Sequence, residues 1–234
     1  QAGMDRAHRD RLAFARVCSG VFHRGDVITH AATRRSFTTK YVSSVFGRDR
    51  ETVEEAFPGD IIGLVNAGSV RAGDTLYSDD HVDFPPIPSF APEHFRVVRA
   101  ADPSKHKQFQ KGIEQLDQEG VVQVLDSESR SRQNPILAAV GPMQFEVASH
   151  RMENEFNAPV LFDQLPYTLA LRTRADDVRN VNSVAGAEGV ERRQDGAHLA
   201  LLTGKWQVAT FRRLHPDVVL ESISTDVEDA HASG

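Results

Sequence analysis

Seven basic side chains are the groups in this sequence best placed to do chemistry. Lys105, Lys107 and Lys111 fall in one short stretch with His106 beside them, Arg212 and Arg213 are adjacent, and Arg9 and Arg11 lie near the start. Ammonium and guanidinium groups grouped in this way hold phosphate oxygens, which makes these seven the candidate contacts to RNA. The same residue types also solvate amphipathic helices, and arginine at a helix C-terminus answers the helix dipole. The chain carries a net charge of −6, and residues 83–234 hold the whole deficit. A non-specific nucleic-acid binder is basic overall, so RNA contact must come from local patches.

Other short motifs lack the partners their chemistry requires. Gly204-Lys205 resembles the end of a phosphate loop, but Trp206 stands where Ser or Thr is needed and no glycine lies five residues before Gly204. Asp60-Ile61-Ile62-Gly63 spells the D-x-x-G of a γ-phosphate sensor, and a β-turn explains it better. His8-Arg9-Asp10 matches a kinase tripeptide without its asparagine, since Ala15 occupies that place. The ten histidines are scattered and show no ligand spacing, so surface or lightly buried positions are expected. The adjacent pairs Glu54-Glu55 and Asp79-Asp80 would point to opposite faces of a strand. The single cysteine, Cys18, excludes an internal disulfide and is expected to be a small buried hydrophobe. No catalytic, cofactor or metal site is expected in this chain.

The elements that would carry the basic groups fall into two textures. Arg24-Gly25-Asp26, Pro58-Gly59-Asp60 and Ala72-Gly73-Asp74 are three copies of one turn. Glycine supplies a positive φ, aspartate hydrogen-bonds the turn backbone, and β-branched or apolar residues follow. Short strands at close spacing with such turns predict a small β-barrel over residues 1–84, entered by a charged lead-in at residues 1–11. Pro85-Pro86-Ile87-Pro88 with Ala91-Pro92 marks a semi-rigid linker over 85–92. Residues 93–224 then alternate strands and helices, predicting an α/β or α+β domain of repeated β-α-β units. Asp102-Pro103 starts a helix with Phe109, Ile113 and Leu116 on its inner face. A second helix buries Phe145, Ala148, Met152 and Phe156, and a third spans Ala175–Val184. A last helix, Gly204–Leu214, is predicted to face the sheet with Trp206, Ala209 and Leu214, and Val218–Leu220 to close the fold. Residues 225–234 read as a disordered acidic tail.

Two passages narrow this architecture to a family. One runs from Met4-Asp5-Arg6-Ala7-His8-Arg9-Asp10-Arg11 through Asp49-Arg50-Glu51-Thr52-Val53-Glu54-Glu55-Ala56-Phe57-Pro58-Gly59-Asp60. The other includes Pro88-Ser89-Phe90-Ala91-Pro92-Glu93-His94-Phe95-Arg96, Asp102-Pro103-Ser104-Lys105-His106-Lys107-Gln108-Phe109-Gln110-Lys111-Gly112 and Ala139-Val140-Gly141-Pro142-Met143-Gln144-Phe145-Glu146. Together they resemble the bacterial class II peptide chain release factors, translational GTPases that act after termination. The resemblance implies an elongation-factor domain II-like barrel followed by an α/β third domain. It implies a cytoplasmic protein whose partners are the ribosome (small-subunit rRNA and protein), its own GTPase domain and, indirectly, class I release factors, with no membrane and no DNA. The family's GTP and Mg belong to a GTPase domain whose motifs are not found in this sequence, so the chain is expected to be non-catalytic. Alternatives are the equivalent domains of an elongation or ribosome-protection factor, or an autonomous α/β enzyme.

Overall fold

The computed structural model describes residues 2–4, 11–44, 52–65, 67, 70–85, 90–131 and 133–223. Arg9, the His8–Asp10 tripeptide and the 225–234 tail lie outside the described residues. Two compact units divide the chain, Gln1–Ile87 and Pro88–Gly234.

The first unit is made of short antiparallel strands. In chain order they are β1 (Ala2–Met4), β2 (Arg11–Arg16), β3 (Phe22–His23), β4 (Val27–His30), β5 (Ser36–Thr38), β6 (Val42–Ser44), β7 (Glu55–Ala56), β8 (Ile61–Val65) and β9 (Leu76–Tyr77). Among the described residues they form ladders β1-β2-β8-β6, β3-β7 and β5-β4-β9, with no continuous hydrogen-bonded ring. The lead-in is not wholly irregular, because Ala2–Met4 pairs with Arg11–Ala13. One apolar core, including Ala13, Ile28, Val42, Ile62 and Leu64, fills the unit.

The three Gly-Asp turns are one device used three times. Gly25, Gly59 and Gly73 have φ of 98°, 105° and 93°. Each Asp N–H closes the turn on the carbonyl three residues back, on His23, Phe57 and Arg71. A glycine with positive φ at the third position is the mark of a type II turn. Each Asp Oδ2 then accepts the N–H of that same first residue, at 2.7, 2.8 and 2.6 Å. The turns deliver β4, β8 and β9. Gly63 is a packing residue: a Cβ there would meet Leu12 and lie 2.9 Å from Ser43 Oγ. The D-x-x-G spelling is thus a turn aspartate followed by a close approach in the central strand β8.

The second unit carries β10 (His94–Ala100), α1 (His106–Gln118), β11 (Gln123–Ser127), β12 (Ile136–Ala139), α2 (Met143–Asn154), β13 (Val160–Gln164), β14 (Leu169–Arg172), α3 (Val178–Asn182), β15 (Ala187–Arg192), β16 (His198–Leu202), α4 (Trp206–Leu214) and β17 (Glu221–Ser222). One eight-stranded sheet runs β13-β10-β12-β11-β15-β16-β14-β17, with antiparallel neighbours throughout. Each β-α-β unit is therefore split: its two strands are parallel and flank an antiparallel third. The first six elements and the last six have the same topology, and their strands occur in mirrored order about the β11–β15 seam. Strands close the fold at Glu221–Ser222, one residue past the expected Val218–Leu220.

Helices α1 to α4 cover one face of the sheet. Phe109, Ile113 and Leu116 of α1 and Phe145, Ala148 and Met152 of α2 pack on Val124, Leu137 and Ala139. Val181 and Phe211 pack on Leu171, Ala200 and Leu202. The alternate strand residues, including Leu125, Ile136, Ala138, Leu199 and Leu201, form a separate buried cluster on the other face. The expected faces of α1 and α2 hold, and that of α4 does not. Trp206 and Leu214 are 66% and 56% exposed, and Ala209 is exposed too. Gln207 and Phe211 point inward instead.

Replacing Gly63 by Ala should lower the stability of the first unit by about 1–3 kcal/mol, the cost of forcing bulk into a packed site. Gly141→Ala, where a Cβ meets nothing within 4 Å, should be near neutral. Urea midpoints of the two variants check the contrast.

Candidate functional site

The basic groups are mounted on α1 and α4. Asp102 starts the first of these, its Oδ1 accepting from Ser104 N at 2.9 Å and Ser104 Oγ at 2.7 Å, and those bonds, the hydroxyl's first, hold its carboxyl below the usual range. A 3₁₀ turn at Pro103–Lys105 leads into α1. Lys105 is tethered, Nζ donating to Asn157 Oδ1 at 3.0 Å. Lys107 and Lys111, one helical turn apart, are exposed on the side away from Phe109 and Ile113. Arg212 and Arg213 are exposed in the last turn of α4. Among the described residues none of these last four is in an ion pair. Arg11 sits in β2.

The structure thus brings Lys107 with Lys111 and Arg212 with Arg213, and keeps the two pairs on separate helices. Sequence reasoning missed two further members of the α4 surface. In the sequence Lys205 reads only as a phosphate-loop residue, and Trp206 reads as a core residue. Both are exposed at the start of α4.

The strongest electrostatic feature lies elsewhere. Glu188 of β15 is 5% exposed and accepts five hydrogen bonds. Arg130 Nε and Nη2 donate to its two oxygens at 2.9 Å each, Ser127 Oγ at 2.6 Å, Ser129 Oγ at 2.8 Å and Tyr167 OH at 2.9 Å. Burial alone would raise this carboxyl, but Arg130 and the three hydroxyls hold it at about 2. Burial and the neighbouring Glu188 charge push the Tyr167 phenol up to about 12. A carboxylate so fully engaged has no free lone pair with which to take a proton at neutral pH. It works as a fastener between β11, the loop after it and the segment just ahead of β14. On the helix-covered face of the same seam, Arg193 donates to both Asp126 oxygens at 3.1 and 2.6 Å. An open polar trough of about 510 Å³ lies there, lined by Gln110, Asp126, Gln133, Glu191 and Arg193.

Two expectations about single residues are corrected. Cys18 is exposed, because β2 ends at Arg16 and the chain there is already turning. His30 is 5% exposed rather than superficial, its Nε2 lying 2.7 Å from Asp74 Oδ2. The signal was present in the third Gly-Asp turn, whose aspartate serves both the turn and this ring. Among the described residues no three His, Cys, Asp or Glu side chains gather at metal-binding distance, and no helix is long and apolar enough to cross a membrane.

Comparison with known proteins adds identity to this geometry. Residues 84–212 match the family model of the class II release factor RF3, C-terminal domain, and residues 1–79 match elongation factor G domain 2. The chain is 37% identical over 226 residues to peptide chain release factor 3 of Synechococcus elongatus, covering 96% of this chain and 40% of that protein. It is 43% identical over 184 residues to peptide chain release factor 3 of Gloeobacter violaceus, covering 79% and 35%. With the protein of that name from Synechocystis sp. the identity is 44% over 170 residues, covering 73% and 31%. The chain therefore spans about two-fifths or less of the length of these relatives. A solved structure from Thermus thermophilus matches with a TM-score of 0.57 at 16% identity, covering 84% of this chain and 28% of that one, a likeness of fold.

Glu188→Ala should destabilise the second unit by about 3–5 kcal/mol, because it strands Arg130 and the Tyr167 hydroxyl. The carboxyl at about 2 lies below its ordinary 4.5. Its contribution is therefore fully present above pH 4.5 and is lost as the pH falls through 2. Urea midpoints taken at successive pH values down that range should fall for the parent chain and be flatter for Glu188→Gln.

Proposed function

The chain belongs to the class II peptide chain release factor family, and from that premise we propose that it is the non-catalytic, ribosome-docking part of such a factor. The observation that carries this reading is the tandem match, an elongation-factor domain 2 followed by the release-factor C-terminal domain, across residues 1–79 and 84–212. The second match separates it from an elongation or ribosome-protection factor, with which the barrel alone would be shared.

In this reading the parent protein is a GTPase that binds GTP and Mg in a domain other than these two. The barrel and the eight-stranded domain hold the factor on the small ribosomal subunit and transmit the nucleotide state of that GTPase domain. The transmitted motion drives class I release factors off the ribosome after peptide release. A relay of this kind needs rigid parts, and the Glu188 fastener and the two helix-covered halves supply rigidity within the second unit. The contact to rRNA falls to Lys107, Lys111, Arg212 and Arg213, exposed and unpaired among the described residues, with Arg9, Arg11 and Lys105 as further candidates. Their effect is local. A chain of net charge −6 is repelled by a polyanion except where such patches face it.

Sedimentation of the chain with 70S ribosomes across a salt series tests the reading. Association should weaken steadily with salt, and neutralising both Lys107 and Lys111, or both Arg212 and Arg213, to Gln should each lower the log–log slope by about 2 if that pair binds phosphates. Absence of any salt-sensitive association would overturn docking by these domains.

A further inference from the structure

We propose that the outer face of α4 is a stacking platform for an unpaired RNA nucleotide, with the Trp206 indole as the base-binding plane. The proposal rests on the docking reading above and names the kind of RNA contact that α4 makes. Trp206 is the single tryptophan of the chain and is 66% exposed. Its helix carries no acidic residue. Trp206, Ala209 and Arg213 recur at three- and four-residue intervals, so they line one face, with Lys205 and Arg212 beside it. Among the described residues none of these three cations has an ion pair or hydrogen bond. Ala209, small and exposed, leaves the middle of that face unobstructed.

One edge of the indole is packed against the chain. A Cβ on Gly204 would lie 3.0 Å from Trp206 Cδ1 and 3.1 Å from Nε1, so the ring edge rests over the one residue that can admit it. An exposed aromatic plane packed at one edge, with Lys205 beside it and Arg212 and Arg213 about two turns along the same helix, matches what single-stranded nucleic acid requires. Bases stack on the ring while phosphates meet the charges. A protein partner would need no such concentration of unopposed positive charge.

The other half of the domain supplies an internal comparison. Gly141-Pro142-Met143-Gln144 leads into the first turn of α2 as Gly204-Lys205-Trp206-Gln207 leads into that of α4. Gln144 accepts from Val140 N at 2.8 Å and Gly141 N at 3.1 Å and donates to Val121 O at 2.7 Å. Gln207 accepts from Thr203 N at 2.6 Å and Thr203 Oγ1 at 2.9 Å and donates to Ala185 O at 3.0 Å. The same device leaves Met143 71% exposed. The outer face of α2, however, carries Glu146 and Glu153, which repel phosphate. Only the α4 copy combines the exposed ring with cations.

Two measurements on the full chain test the platform. In the first, Trp206 fluorescence is titrated with protein-free single-stranded poly(A) and with duplex RNA at equal phosphate concentration. Marked quenching by the single strand and little by the duplex is expected, whereas equal quenching would mean charge attraction alone and would overturn stacking. In the second, Trp206→Ala, Trp206→Phe and Met143→Ala are sedimented with 70S ribosomes. Trp206→Ala should weaken association about 10-fold, with Trp206→Phe recovering most of the loss and Met143→Ala unchanged. Its salt slope should match that of the parent chain, because an indole displaces no counterions. Parent-like ribosome binding by Trp206→Ala would overturn the platform and leave docking intact. Loss of ribosome binding by Trp206→Ala without poly(A) quenching would point to a ribosomal protein and would likewise overturn it. Poly(A) quenching in a chain that never sediments with ribosomes would uphold the platform and overturn docking.

Discussion

The second unit depends on one short seam. In the sheet its halves meet where β11 pairs with β15, over Leu125–Arg192, Asp126–Glu191 and Ser127–Val190. Beneath that ladder one buried cluster joins Leu125, Ile136 and Ala138 of one half to Ala170, Leu199 and Leu201 of the other. Three residue pairs alone give little area against the entropy of ordering two six-element halves, so the shared cluster and polar side chains on both faces secure what the ladder begins. Glu188 does this on one face, drawing donors from β11, from the following loop and from just ahead of β14. Asp126 and Arg193 do it on the other. With both faces tied, the eight strands form one continuous sheet, and α1 and α4, which carry the exposed cations, have fixed positions within it. Polar fastening of this sort carries little net stability beyond what a well-packed apolar patch would give, and its particular return is a defined register.

Local signals made much of this architecture legible in the sequence. The Gly-Asp turns announced themselves because the conformational demand and the residue meeting it are adjacent. The buried faces of α1 and α2 followed from Phe109, Ile113 and Leu116 and from Phe145, Ala148 and Met152, where hydropathy and helical period agree. What escaped was long-range. The partners of Glu188 lie 21 to 61 residues away, and no local pattern separates a buried glutamate with five donors from an exposed one on an edge strand. His30 is bound to an aspartate 44 residues on. The basic residues were legible as a class, while the sorting of Lys105 from Lys107 and Lys111 needed Asn157 to be seen beside it.

The inverted face of α4 has a different cause, and it bears on function. Hydropathy places tryptophan inside and glutamine outside, yet Gln207 is 1% exposed and Trp206 is largely in solvent. The buried amide is tolerated because it finds a carbonyl to donate to and a backbone N–H to accept from, removing the penalty of burying it. Once the glutamine is committed to the loop, its predecessor is turned about 100° around the axis, away from the sheet. Geometry alone therefore exposes the first residue of both α2 and α4.

Exposure being imposed, the identity of the exposed residue is what carries information. A lysine or a serine at Met143 and Trp206 would meet the same geometric demand at lower cost, since apolar surface in water costs about 25 cal/mol per Å². Large apolar groups at both positions mean that each helix start keeps a surface the fold does not need. The two copies then diverge in charge, glutamates along the outer face of α2 against arginines and a lysine along α4. A repeated scaffold with opposite decoration is how one duplicated topology can face two different partners. On the α4 side the combination of aromatic plane and unpaired cations is what favours, in the reading proposed above, a partner with flat rings and negative charge.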